Sequence, residues 1–299
     1  MKNLLLCCLA FTLFQIAYAQ TPADTTATES PAGDFLSFAE NYNAHAAYVN
    51  GNRWTTSTGN RSLGRGWKNV ADEFKVSPEG EATFRLALAQ RRIQPFYSIA
   101  GLGLMLGSLP LINTTTQFDW QTGLGIGMAL GGFTLAFVGG KKARQSADNF
   151  ERALWLRNRD EILRYTSPTY QPRLRYLYET ETLYLTTNSY IKNGHEHKLG
   201  ILGDKAAGEF RNIPTAWDMY KKYRTNQRLG AVVYAAGIAV MVASPSGFSS
   251  RSPAGPWMYF GGLVVSGAGF GIAASGRRFL REAVHLKNYT VLNQKMLRE

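Results

Sequence analysis

The sequence predicts a mainly α membrane protein of two tandem repeats, each a small β-hairpin/helix unit followed by a Gly/Ala-rich transmembrane helical hairpin. Three observations carry that expectation: an export leader, four uncharged apolar stretches, and a self-match of the chain at an offset of 136 positions. The composition agrees. Hydrophobic residues make up 45 % and charged residues 18 %, with 30 glycines, which excludes a disordered chain. Cysteine occurs only at Cys7 and Cys8, so removal of the leader leaves neither a disulfide scaffold nor a cysteine metal cage.

Met1-Lys2-Asn3 is a basic start, Leu4 to Ile16 an apolar run, and Ala17-Tyr18-Ala19 a small-residue cleavage site. Residues 1–19 therefore read as a signal peptide. Leu6 stands before Cys7, where a lipoprotein would need a small residue. Residues 20–34 (QTPADTTATESPAGD) are rich in Thr, Pro and Ala and read as a flexible linker.

The first repeat is expected over 35–163 and the second over 164–299. At the 136 offset Leu63-Gly64 falls on Leu199-Gly200, Glu73-Phe74 on Glu209-Phe210, and Pro78 on Pro214. Further along, Gly125, Gly131 and Gly140 meet Gly261, Gly267 and Gly276, and Lys141-Lys142 meets Arg277-Arg278. One offset from Leu63 to Asn158, without insertion, is the expectation. Upstream, Tyr48-Val49-Asn50-Gly51 is paired with Tyr190-Ile191-Lys192-Asn193-Gly194, because Asn-Gly is the strongest short hairpin signal. That pairing gives the first repeat a longer loop before Leu63. Each unit then reads as a hairpin, an amphipathic helix ending near Phe74 or Phe210, and a helix opened by Pro78 or Pro214, a residue suited to a first turn. The Tyr-rich segment from Tyr165 to Tyr190 reads as β-prone.

Phe96–Ile112, Gly123–Gly140, Leu229–Ser244 and Trp257–Ser275 lack charge and are near the lower length limit for crossing a bilayer. They form apolar hairpins over 96–140 and 229–275. Small residues recur at every fourth position, the spacing for close packing in lipid. The candidate packing residues are Gly103 and Gly107; Gly123, Gly127 and Gly131; Ala231, Ala235, Ala239 and Ala243; and Gly267 and Gly271. Trp120 and Trp257 stand near the loop ends, where aromatic rings favour the lipid boundary. The continuations Ala143–Leu163 and Phe279–Leu297 are amphipathic and are expected to pack on the hairpin-helix units.

The net charge is +12, and its basic residues gather at the ends of the apolar segments. Arg91, Arg92, Lys141, Lys142, Arg228, Arg277 and Arg278 are the candidate lipid-headgroup contacts. Export and this placement favour membrane lipids over nucleic acid as the partner. Cleaved export puts the basic flanks outside the cytoplasm, against the positive-inside rule. Either an inner-membrane protein breaks the rule, or the apolar hairpins span nothing, or they enter the outer membrane from the periplasm, so the membrane is left open.

Chemistry-bearing motifs are sparse. His195-Glu196-His197 lacks the further ligands of a metal site. Gly101-Leu102-Gly103 and Gly123-Leu124-Gly125 do not complete a dinucleotide loop, and Gly140-Lys141-Lys142 lacks the hydroxyl of a phosphate loop. No catalytic residue, metal or cofactor is expected, and no enzyme. The Tyr–Asn-Gly turn, the Leu-Gly…Glu-Phe…Pro entry and the Gly-rich apolar hairpin together resemble uncharacterised exported membrane proteins of Bacteroidota, a likeness that implies no activity. The expected role is a non-enzymatic envelope protein with a periplasmic interaction surface and self-associating helices, a homo-oligomer or bound to an envelope partner. A transport component or oligomeric pore is the alternative, and an envelope enzyme acting on glycan or lipid the third.

Overall fold

The computed structural model describes residues 38–108, 111, 120–200, 202–243 and 254–297. The expected leader and linker, and the side chain of Trp257, lie outside the described residues. The chain is mainly α, with two small antiparallel sheets.

The first half runs α1 (Phe38–His45), β1 (Tyr48–Asn50), β2 (Arg53–Thr56), β3 (Gly59–Ser62), a 3-10 segment (Arg65–Val76), α2 (Pro78–Ser108) and α3 (Trp120–Arg164). The second runs α4 (Gln171–Glu181), β4 (Leu183–Leu185), β5 (Ser189–Lys192), β6 (His195–Lys198), α5 (Ala207–Phe210), α6 (Pro214–Ala243) and α7 (Ala254–Leu297). Pro78 and Pro214 each open a long helix that runs on without a break into the apolar segment. Each apolar segment is one end of a continuous helix of 30 to 45 residues.

Three local expectations are corrected. The segment ending at Phe74 is a 3-10 run rather than an α-helix, because Gly66 and Trp67 take positive φ of 67° and 59° within it. It still buries Trp67, Val70 and Phe74. The Tyr-rich stretch holds a helix, α4, whose Pro172 suits a first turn and whose Leu174 and Tyr178 bury one face at i, i+4 spacing; only its end is extended. Each sheet also has three strands, not two. The turn that answers Asn193-Gly194 is therefore Ser57-Thr58 between β2 and β3, since Arg53–Thr56 and Gly59–Ser62 stand 136 positions before β5 and β6. The first half has no extra loop before Leu63.

The 136 offset holds through α2 and α6 but not beyond. Gly101 approaches Gly132 and Ala136, while Gly237 approaches Gly262 and Ser266. Gly101 and Gly237 are 136 apart, but Gly132 and Gly262 are 130 apart. The same 130 relates Asn158 to Asn288 and Ile162 to Leu292. Asn158 hydrogen-bonds the backbone of Ala47 through both amide atoms, at 2.9 and 2.7 Å. Asn288 does the same to Leu183, at 3.0 and 2.8 Å. The second half is six residues shorter between its arms, so the expected pairing of Lys141-Lys142 with Arg277-Arg278 fails.

Each half has its own core. Trp54, Trp67, Phe74, Phe84 and Phe150 fill the first, and Leu183, Phe210, Tyr220, Leu280 and Ala283 the second. Between them Tyr42 from α1 and Tyr178 from α4 are fully buried with Ile162 and Leu292. The halves exchange contacts there. Trp155 of α3 packs on Tyr178 and Tyr184, His285 of α7 packs on Tyr42 and Tyr48, and Arg281 pairs with Glu151 at 2.6 Å.

Candidate functional site: two apolar hairpins with a basic base

α2 packs antiparallel to α3, and α6 to α7, along seams of small buried residues spaced by seven. Gly125, Gly132, Gly139, Ser146 and Ala153 line α3; Gly262, Gly269, Gly276 and Ala283 line α7. Seven residues are two turns of a helix packed at 3.5 residues per turn, so one seam stays on the partner. The backbones nearly touch. A Cβ on Gly132 would lie 2.6 Å from the Gly101 carbonyl oxygen, and one on Gly269 2.4 Å from the Tyr234 nitrogen. Polar side chains near the base add cross-links. Ser146 donates to the Ala87 carbonyl at 2.8 Å, and Gln227 to the Ala273 carbonyl at 2.8 Å.

The residues expected from the every-fourth spacing are elsewhere. A Cβ on Gly103, Gly127 or Gly271 would meet nothing within 4 Å. Gly107 approaches only the end of Met128, and Gly131 only Leu104. Gly123 and Gly267 are half-buried, and Ala231, Ala235, Ala239 and Ala243 are exposed. Within the chain the three with open surroundings, Gly103, Gly127 and Gly271, are not packing residues. A four-residue stripe drifts around the helix, whereas the seven-residue repeat does not.

The outer faces of both hairpins are apolar. Phe96, Ile99, Leu130, Phe133 and Phe137 are exposed on the first, and Val232, Val242, Val264 and Phe270 on the second, with Phe137 at 68 % and Val242 at 80 %. Trp120 is exposed at the first residue of α3. One helix in each hairpin, α3 and α6, is long and apolar enough to cross a membrane. Soluble monomers rarely expose large contiguous apolar patches.

Both hairpins project from the same end of the molecule. At the start of β4, Trp155 of α3 donates to Thr182 at 2.8 Å, and Asn288 of α7 holds Leu183. Past its end, Thr187 donates to Asp148 at 2.7 Å and accepts from Arg277 at 2.8 Å. Along one strand both helices step back toward their apolar ends, so α3 and α7 run in the same direction.

Basic residues surround the hairpin base. Arg92, Lys141, Arg228 and Arg278 are exposed and Lys142 is half-exposed. Arg91 lies over the Trp67 ring at 4.2 Å, and Arg278 over Phe279 at 4.7 Å. Arg277 departs from its expected headgroup role. Its guanidinium is used on the carbonyls of Thr186 and Thr187. At the 130 offset Arg277 corresponds to Ala147 rather than to Lys141. His195 and His197 are exposed on β6, with His197 stacked on Tyr190. No group of three or more metal-binding side chains occurs among the described residues.

The junction of the halves contains a titrating group that sequence reading missed. His285 is half-buried against Tyr42 and Tyr48, and desolvation lowers its pKa to about 4. In the unfolded chain it would titrate near 6.5. The folded state excludes the proton, so this contribution is full above pH 6.5 and is lost as pH falls toward 4. The expected loss is roughly 3 kcal/mol across that window. Thermal melting from pH 7.5 to 4 checks it: His285→Phe should remove much of the acid slope, and an unchanged slope would assign it to other groups.

The chain matches no protein-family model, no curated protein and no solved structure.

Proposed function

We infer that the chain is a non-enzymatic cell-envelope membrane protein, exported by its leader, that inserts two helical hairpins into a membrane from one side. A body built from two copies of one unit is then held at the surface as an interaction platform. The observation carrying this reading is the exposed apolar face on two hairpins that project together, above a ring of arginine and lysine. Four embedded helices follow if α2 and α7 enter beside the two that pass the length and hydropathy test. The paired contacts of the two halves support a duplication with a six-residue difference between the arms.

The outward small residues Gly103, Gly127 and Gly271 then face lipid or another copy. Gly127→Leu fits within the chain, so its effect isolates assembly. A smaller oligomer by native mass spectrometry, with unchanged melting, supports self-association through this face. Unchanged oligomer size sinks it.

The ring of Arg92, Lys141, Lys142, Arg228 and Arg278 suits anionic headgroups. Flotation of the purified protein with anionic and neutral liposomes tests it. Stronger, salt-sensitive association with anionic vesicles is expected; equal association contradicts the headgroup role. A pore through either hairpin is disfavoured because Gly101 meets Gly132, and Gly237 meets Gly262, at backbone contact.

A further inference from the structure

The two hairpins leave a gap between them. Among the described residues, neither arm of the first packs along either arm of the second. α3 and α7 face one another across this gap, because Glu151 of α3 reaches Arg281 of α7 at 2.6 Å at its floor. Leu130, Phe137 and Arg144 stand twenty-one, fourteen and seven positions before Glu151. They keep its side of α3 as the seven-residue seam keeps the other side. Each lies two positions before Gly132, Gly139 or Ser146, and two positions turn a side chain by about 200°. On α7, Phe270 and Ala274 stand eleven and seven positions before Arg281, three and two turns up the same side. Leu130, Phe137, Phe270 and Ala274 are all exposed.

These apolar walls end on charge. Arg144 is exposed and has no ion pair or hydrogen bond among the described residues. The carboxylates beside it are already engaged: Glu151 holds Arg281, and Asp148 accepts from the N–H and the hydroxyl of Thr187. Arg277 rests on the neutral carbonyls of Thr186 and Thr187. Three guanidinium groups therefore stand against two carboxylates at the floor of the gap, and the exposed one, Arg144, is the one left over. A second copy of the chain would bring its own basic base to this level, like charge against like. An acyl chain carrying one phosphate at its end matches both the walls and the charge.

We propose that the gap between α3 and α7 is a site for one anionic phospholipid, its acyl chains between Phe137 and Phe270 and its phosphate on Arg144. The site rests on the membrane-inserted reading above and adds to it a bound lipid at fixed stoichiometry.

Native mass spectrometry of the detergent-solubilised mature chain tests it, with phosphatidylglycerol or phosphatidylcholine of the same acyl chains added. One retained phosphatidylglycerol per chain is expected, preferred over phosphatidylcholine and not displaced by glycerol 3-phosphate. Arg144→Gln should weaken retention roughly tenfold, the loss of one hydrogen bond to a charged group. Ala274→Trp fills the gap without changing charge and should also weaken it. Lys68→Gln, the same charge change on an exposed position of the body, should leave it unchanged. Flotation with liposomes separates the two levels. A chain that floats but retains no lipid, or retains it equally in Arg144→Gln and Ala274→Trp, overturns the site and leaves insertion standing. A chain that does not float overturns both. Displacement by glycerol 3-phosphate would assign the arginine to free phosphate, and a lipid-free dimer would assign the gap to a second copy; either overturns the lipid site.

Discussion

Gly132→Leu and Gly237→Leu should each lower the melting temperature by about 10 °C, the consequence of roughly 3 kcal/mol of overpacking in a chain of this size. A Cβ at Gly132 would lie 2.6 Å from the Gly101 carbonyl oxygen, and one at Gly237 2.4 Å from the Ser266 nitrogen. Backbone cannot rotate aside as a side chain can, so the arms must separate over several turns. The alanine series gives a test of sign. Alanine is the better helix former by about 1 kcal/mol, so Gly127→Ala, with open space, should be neutral or stabilising. Gly132→Ala should destabilise despite the same propensity gain. Melting of the four variants in one detergent decides it; equal responses at Gly127 and Gly132 would remove the seam from the account.

The second large effect concerns the junction of strand and helix in each half. Asn158 satisfies both the N–H and the carbonyl of Ala47, and Asn288 both groups of Leu183, all buried. Asn158→Leu or Asn288→Leu strips two backbone groups of their partners at once. With about 1–3 kcal/mol for each buried group left unmade, a loss of roughly 2–5 kcal/mol is expected from either variant. Chemical unfolding of each variant measures it. Similar losses at both positions would support their equivalence in the two halves, and a loss below about 0.5 kcal/mol would show that water replaces the amide.

Much of the architecture is legible in residue order. The prolines at 78 and 214 mark helix starts, the uncharged runs mark the hairpin arms, and the offset of 136 links the sheets and first arms. The rest was hidden for physical reasons. Glycine is frequent throughout the arms, so several offsets align glycine with glycine, and the contacts of Gly101 and Gly237, with the matching hydrogen bonds of Asn158 and Asn288, select 130 over 136 for the second arms. The same abundance made the four-residue stripes conspicuous and masked the seven-residue seam. Tyr42 and Tyr178 lie 136 apart, a signal that was readable, but α1 and α4 are too short and polar to advertise a buried face.

In the proposed arrangement both hairpins enter a membrane from the side on which the body lies. The mature chain has no cysteine once residues 1–19 are removed, so single cysteines report cleanly. Phe133→Cys and Phe270→Cys sample the two apolar faces, while Arg152→Cys and Lys198→Cys sample exposed positions of the body. In oriented proteoliposomes treated with an impermeant maleimide, the two body positions should react together from one side. The two hairpin positions should stay unlabelled until detergent dissolves the bilayer. Labelling of Phe133→Cys and Phe270→Cys in intact vesicles at the rate of the body positions would contradict insertion, and protection of only one would contradict the paired entry of the hairpins.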